Sequence, residues 1–469
     1  MNNSTTTLKV FETQYDIAAC DVGVVHVGYG AFHRAHQAVY IDDYMEATND
    51  LRWGIAAVNL RTPEASSFAL NKPEGYMLKS TAPSGEVELR QVRSHVLFED
   101  WSVDAPKAEA LLARRSVNMV SITVTESGYY TDPTGALNAA DPVIASEIDG
   151  GTPSSIYGYL HGALRARMVE INTPITVCCC DNIRQNGKML RRNLLSYLDL
   201  VKDLELAAWV VENVSFPCSM VDRITPRATP ELDQELSELT GKPVSRSIMA
   251  ESFAQWVLED NFSGPMPDLA KAGVTVTKDV DPYEETKIRV LNGGHTCLSY
   301  LAALQGIETF DQAMNAPDLF AHFNAYETEE VLPALTLELP FSKQEYLGDI
   351  AARFKNAAIA DTIARIAADG MAKFPIFIRP TLEGCLAQGL IPHHGLRTVA
   401  SWYVFAQHVA AGRIPFDYLE PSWAQLQALL GNDDFVMSQQ LWGDLPTTYP
   451  AFADAMRVAI KEMEQSWPV

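Results

Sequence analysis

The sequence predicts an α/β chain: a parallel sheet covered by helices in the N-terminal part, then a mostly α-helical C-terminal part. Three observations predict it. Short β-branched runs recur through the first half, separated by helical stretches, as expected of strands buried on both faces. The first of these runs ends in glycines, the setting of a ligand turn in such sheets. From about residue 296 the strand signal fades, and apolar residues recur at helical spacing.

GVVHVGYG (23–30) reads as the first strand, and AHQAVYIDDYMEA (35–47) as the helix after it. WGIAAVNL (53–60) is a second strand. The helical KAEALLARR (107–115) leads to the strand VNMVSITVT (117–125), and SIYGYLHGALRARMVE (155–170) leads to TPITVCCCDN (173–182). Beyond residue 296, TCLSYLAAL, FSKQEYLGDIAARF, AIADTIARIAADG, TVASWYVFAQHVA, SWAQLQALL and AFADAMRVAIKEME all fit amphipathic or buried helices. The layout is an α/β domain over residues 1–280 and a helical domain over 281–469.

The bulk properties narrow the function. The chain has 469 residues, 47% hydrophobic and 20% charged, with a net charge of -23. That charge argues against nucleic acid and anionic membrane as partners. The N-terminus lacks the basic start and apolar core of a leader, and no window approaches the ~18–20 apolar residues that span a bilayer. The expectation is a cytoplasmic enzyme of small molecules, monomeric or a small homo-oligomer. Seven cysteines, three of them consecutive at Cys178, Cys179 and Cys180, include no C-x-x-C pair. They suit neither a disulfide framework nor a zinc site, and the three read as small apolar side chains of a buried strand. His33/His36 and His393/His394 have no carboxylate or cysteine cluster at ligand spacing, so no metal is expected.

Chemistry concentrates in two places. In GYGAFHR, Gly28 and Gly30 satisfy the first two positions of G-x-G-x-x-G, and His33 stands at the third. Glycines there permit a tight turn and close approach of a pyrophosphate to a helix N-terminus; a plain tight turn is the alternative. After the second strand, LRTPEA offers Arg61 and Glu64. A carboxylate at this point binds the adenosine ribose and repels a 2′-phosphate, so Glu64 favours NAD, whereas Arg61 would tolerate NADP.

The second place is YEETKIRVLNGGH (283–295) at the domain junction. Asp281 and Pro282 suit a helix N-cap and first turn. At ~100° per residue, Lys287, Asn292 and His295 fall within an arc of about 140°. Oxidising a secondary alcohol needs a base for the hydroxyl proton and donors for the oxygen. A lysine serves as that base when burial lowers its pKa; a surface helix lysine is the alternative. Gly293 and Gly294, unfavourable in a helix by roughly 1 kcal/mol each, suggest a bend, a break or a ligand close to the backbone. Tyr283 and Lys287 also form Y-x-x-x-K, the acid/base pair of short-chain dehydrogenases, but the pair arrives far too late in a chain of this length.

The blocks GYGAFHRAHQA (28–38), SITVTESGYY (121–130), CDNIRQNG (180–187), FPCSMVDRITP (216–226), QWVLEDNF (255–262), PYEETKIRVLNGGH (282–295) and ADGMAKFP (368–375) occur in this order. With them the chain resembles the mannitol dehydrogenase family of long-chain, zinc-independent polyol dehydrogenases along nearly its whole length. KIRVLNGGHTC, PTLEGCLAQGLIP and LWGDLP look closest to the branch acting on D-arabinitol, with mannitol and fructuronate enzymes as neighbours. The resemblance implies a Rossmann-type dinucleotide-binding N-terminal domain, a helical C-terminal domain, NAD as cofactor, and a polyol or ketose as substrate. It implies that Lys287 is the general base, that Asn182 and Asn292 hold the reacting oxygen, and that His295 contacts the substrate hydroxyls. Asp222, Arg365 and Lys373 fall at its polyol site, Gly28, Gly30, Phe32 and Glu64 at its cofactor site, and Glu284 near the proton path of the lysine. On the residues alone, Asn182 could equally cap a turn, Asp222 and Arg223 form an ion pair, and Arg365 and Lys373 be surface charges. Gly294 and Ala372 depart from the family's usual residues without touching the chemistry.

Overall fold

Six runs of apolar residues pair side by side in the computed structural model, which describes residues 8–61, 75–132 and 134–468. They are β1 (Val22–Val27), β2 (Gly54–Asn59), β3 (His95–Asp100), β4 (Met119–Ile122), β5 (Ile175–Cys179) and β6 (Val214–Ser215), in the order β3-β2-β1-β4-β5-β6. Every pairing is parallel. This is the doubly wound order of a Rossmann-type sheet, whose strand sequence reverses between β1 and β4.

Side chains of each strand go alternately to the two faces. Val22, Val25 and Val27 of β1 pack in one core with helices Ile156–Glu170 and Asn186–Leu200, while Val24 packs in the other with helix Gln37–Thr48. The cysteines obey the same alternation: Cys179 lies in the first core, Cys178 and Cys180 in the second, all fully buried. Burying both faces is what makes these strands read as continuous apolar runs.

Two smaller sheets complete this part. One has the order Leu8–Glu12, Val87–Val92, Tyr76–Thr81, Ile248–Glu251, and the other the order Ser219–Asp222, Gln255–Glu259, Thr275–Thr277. The helix expected over 35–47 is interrupted: Ala31–Ala35 ends at His36, whose φ -125 and ψ -91 are not helical, and a second helix runs Gln37–Thr48. The strand expected over 117–125 is shorter, Met119–Ile122.

The chain divides into two compact units, Met1–Ala82 with Glu86–Asp281, and Pro83–Gly85 with Pro282–Val469. The second unit is helical around its own core, in which Trp402 of helix His393–Ala410 stacks on Phe374 at 4.2 Å. A fully buried side chain of this size contributes about 3 kcal/mol or more. Within this unit three helical stretches contain π turns: Lys287–Asn292, Tyr326–Val331 and Phe374–Ile378, and the first packs against the other two. Gly293 sits where they meet. A Cβ there would stand 3.2 Å from the Phe377 carbonyl, and 3.6 Å from both the Ile288 carbonyl and the Tyr326 hydroxyl. No helix among the described residues is long and apolar enough to cross a membrane.

Candidate active site

In the first unit, the ends of β1, β2 and β4 open into a cleft of ≈ 280 Å³ lined by Gly28, Tyr29, Gly30, Asn59, Arg61 and Thr123–Thr125 among others. This is the switch point of the sheet, where ligands of such folds bind. Gly28 has φ +100, and a Cβ on it would stand 1.9 Å from the Thr123 carbonyl oxygen. Only glycine fits. Its N–H donates to the Val58 carbonyl at 2.9 Å, and its own carbonyl accepts from Gly30 N–H at 2.7 Å and Thr123 Oγ1 at 3.0 Å. Tyr29 N–H donates to Asn59 Oδ1 at 3.0 Å. Gly30 is extended (φ -88), and a Cβ on it would have its nearest neighbour at 3.9 Å, so its glycine leaves open space on the cleft.

The third motif position works without glycine. His33 is fully buried, stacks flat on His26 of β1 at 3.2 Å, and shares a hydrogen bond with His95 of β3 at 2.9 Å (Nε2 to Nε2). His26 bridges Ser121 Oγ at 2.8 Å and the Gly28 carbonyl at 3.0 Å. Burial holds His26 down at about 3 and His33 and His95 well below the usual histidine range. The three rings are therefore neutral supports of the glycine turn. Phe32, half-buried, stacks its ring on His36 at 5.0 Å. Arg61 hydrogen-bonds the Tyr130 hydroxyl and lies over that ring at 5.5 Å. Glu64 lies outside the described residues.

Also in this unit, Asn182 is exposed just past β5, where Asn186 donates to the carbonyls of Asp181 (3.1 Å) and Ser219 (2.9 Å) and so fixes the turn. Asp222 ends a strand and is buried. Its neighbour Arg223 is committed elsewhere, donating to the carbonyls of Glu251 (3.0 Å) and Ala35 (2.5 Å) and to Ser80 Oγ (2.8 Å).

Helix Asp281–Thr286 runs into the second unit's π turn, which begins at Lys287, and helix Gly293–Leu304 follows. Lys287 is 7% exposed. The wider turn corrects the arc expected from α-helical spacing: 100° per residue does not hold between Lys287 and Asn292. It holds from Asn292 to His295, which lie on one helix face. Asn292 is half-buried, and its Oδ1 has no hydrogen-bond partner among the described residues. The helix does not break at these glycines: Gly293 has φ -61 and ψ -45, and helix Gly293–Leu304 continues through Gly294. A Cβ on Gly294 would meet Phe323 Cε2 at 2.8 Å and Glu327 Oε1 at 3.0 Å, so both glycines answer to close packing of the chain on itself.

The His295 ring stacks on Phe354 at 4.1 Å and meets the edge of Phe310 at 4.6 Å. Burial first, then the charges of Arg365, Arg353 and Lys373, hold it well below the usual histidine range, so it is a neutral imidazole. Two residues expected from the sequence, Arg365 and Lys373, thus gather near His295. Arg365 pairs with Asp361, and Lys373 Nζ donates to the Ile366 carbonyl at 2.9 Å. Sequence reasoning missed Arg353, and it missed Glu327. Glu327 is fully buried, both its oxygens have no hydrogen-bond partner among the described residues, and burial raises its pKa well above the usual range. Neither stands in a motif, and in the sequence Glu327 is one of three glutamates in YETEEV (326–331), with no local signal that it is the fully buried one. Among the described residues no group of three or more His, Cys, Asp or Glu is placed to hold a metal ion.

A doubly wound parallel sheet with a glycine turn at its switch point defines a dinucleotide-binding domain. Residues 22–271 match the mannitol dehydrogenase Rossmann domain and residues 279–463 the mannitol dehydrogenase C-terminal domain. The chain belongs to the mannitol dehydrogenase family of polyol dehydrogenases. It is 36% identical to D-arabinitol 4-dehydrogenase of Ralstonia nicotianae, over 90% of this chain and 92% of that one. It is also 36% identical to mannitol 2-dehydrogenase of Cereibacter sphaeroides, over 90% and 88%. Among solved structures it is similar to the ternary complex of Pseudomonas fluorescens mannitol 2-dehydrogenase with NAD and D-mannitol, with TM-score 0.86, 31% identity, and coverage of 98% and 95%.

Proposed function

We propose that the protein oxidises a secondary alcohol of an acyclic polyol to a ketose with NAD, and that its substrate is D-arabinitol, giving D-xylulose. The observation that carries the reaction type is a lysine sheltered at 7% exposure at the start of a π turn, followed by Asn292 and a neutral His295. The first unit fits the cofactor: Gly28 makes the turn, Gly30 leaves the cleft open, and Tyr29 and Asn59 fix the wall. When bound there, NAD accepts the hydride. Lys287 takes the hydroxyl proton. The amides of Asn182 and Asn292 donate to the oxygen as it becomes a carbonyl. His295 contacts the hydroxyls, with Asp222, Arg365 and Lys373 positioning the rest of the polyol. Gly28, Gly30, Phe32 and Glu64 serve the cofactor.

D-arabinitol is favoured by the sequence details of the KIRVLNGGHTC and LWGDLP segments and by the likeness to D-arabinitol 4-dehydrogenase. An equal identity to a mannitol 2-dehydrogenase supports D-mannitol as the second reading. A third, reduction of fructuronate or tagaturonate, is favoured by the additional cation Arg353 beside His295, since a carboxylated sugar calls for extra positive charge. The test is a panel of D-arabinitol, D-mannitol, D-sorbitol, xylitol and D-fructuronate with NAD(H) and NADP(H), followed at 340 nm. The largest kcat/KM is expected for D-arabinitol with NAD; a larger value for another substrate replaces this assignment.

A further inference from the structure

Asp181 follows β5 and precedes Asn182, and its carboxylate reaches across to the end of β4. Oδ2 accepts the Val124 N–H at 2.8 Å and the Tyr129 hydroxyl at 2.7 Å; Oδ1 accepts the Thr125 N–H at 3.3 Å. Val124, Thr125 and Gly128 line the cleft at the switch point. Thr125 is β-branched and sits at φ +68, ψ 159, a conformation that persists only where the surroundings enforce it and that gathers at functional sites. The backbone of Asp181 is itself fixed, its carbonyl accepting from Ile183 N–H at 2.8 Å and Asn186 Nδ2 at 3.1 Å. Tyr129 is fully buried and its carbonyl accepts the Tyr157 hydroxyl at 2.9 Å, so the whole assembly is anchored in the sheet's core.

We propose that Asp181 is the positioning residue of the dinucleotide cleft: its ionised carboxylate holds the Val124 and Thr125 N–H groups, and with them the cleft wall, in the conformation that receives NAD. Backbone N–H groups offer only donors, so a carboxylate that accepts on both oxygens satisfies two of them and the phenol at once. The inference rests on the reading that this cleft holds NAD. The titratable groups facing Asp181 are Tyr129, Glu126 and the thiols of Cys179 and Cys180. Burial raises the Asp181 pKa to about 6, against the hydrogen bonds that lower it. The charged form that the wall needs is therefore lost near that pH.

The test is fluorescence titration of the full-length protein with NADH between pH 5.5 and 8. Wild type is expected to bind several-fold more weakly as pH falls from 7 to 5.5. Asp181→Asn is expected to bind about tenfold more weakly at pH 7.5, the equivalent of one charge-assisted hydrogen bond, with a Kd that no longer changes across the range. Its melting temperature at pH 7.5 is not expected to fall, because the substitution removes a carboxylate that is unfavourable to ionise in the folded state. Tyr129→Phe removes one donor and should move the midpoint of the wild-type pH dependence upward. A Kd for Asp181→Asn within twofold of wild type, a retained pH dependence, or an unmoved midpoint in Tyr129→Phe overturns the proposal. Failure of wild type to bind NADH at any pH overturns instead the reading of the cleft.

Discussion

Replacing Gly28 by alanine tests the cofactor turn at its tightest point, and Gly30→Ala is the paired control. At Gly28 the new Cβ would stand 1.9 Å from the Thr123 carbonyl oxygen, where carbon contacts normally lie near ~3.5 Å. A left-handed backbone carries a further penalty of about 1–2 kcal/mol for any L-residue. Moving the two chains apart strains or breaks the 3.0 Å bonds that the Gly28 carbonyl accepts from Thr123 and His26, about 1 kcal/mol each. Overpacking adds about 1–3 kcal/mol. The sum is about 4–7 kcal/mol, which for a unit of this size lowers the melting temperature by roughly 10–20 °C. At Gly30 the Cβ meets nothing closer than 3.9 Å and the φ of -88 suits any residue, so stability should change by about 0.5 kcal/mol or less. That Cβ nevertheless enters the cleft, and NADH affinity should fall about tenfold. Thermal melts and NADH titrations separate the two effects. Gly28→Ala melting with wild type, or Gly30→Ala binding NADH as wild type does, refutes the reasoning.

Three further outcomes are expected. Lys287→Ala should abolish turnover while NADH binding survives, and Tyr283→Phe should keep most of the activity; steady-state rates and the same titration distinguish this from the reverse pattern, which would restore the tyrosine-lysine mechanism. Glu327→Gln should gain stability over wild type as pH rises. The folded-state pKa of Glu327 is raised, so the unfolded chain ionises first, and its contribution is present at low pH and lost from about 4.5 upward. Melting temperatures of both proteins from pH 5 to 9 check this, and a constant difference between them would count against a neutral Glu327.

Much of the fold was legible because burial on both faces leaves an unbroken apolar signal. GVVHVGYG and ITVCCC each read as strands for that reason, and the alternation of Cys178, Cys179 and Cys180 between two cores follows from the period of two. The smaller sheets were not legible. Strands such as Val87–Val92 (VELRQV) carry Arg and Glu, and Arg90 is buried by pairing with Asp42 at 3.1 Å and Asp43 at 2.5 Å, a partner no local pattern reveals. In the candidate site, Gly28 was legible because a tight turn after a strand has few alternatives. His33 was not, since a histidine replaces glycine there only by stacking on His26 and bonding His95, residues 7 and 62 positions away. The glycines after Asn292 looked like room for a ligand. Their neighbours turn out to be Phe377, Tyr326, Phe323 and Glu327, which only the packing of distant helices brings to them.

The π turn at Lys287 has a consequence for anyone redesigning the enzyme. Such a turn holds one residue more than the α-helix around it, so removing any one residue between Lys287 and Asn292 would let the helix close into regular spacing. The shortened chain would look better formed and carry every motif residue. Lys287 and Asn292 would then stand four residues apart, about 40° from each other around the axis, close to the facing that the wider turn gives them across five residues. A wheel projection drawn from the uncut sequence, or a graft of it onto an ideal helix, instead sets the two about 140° apart.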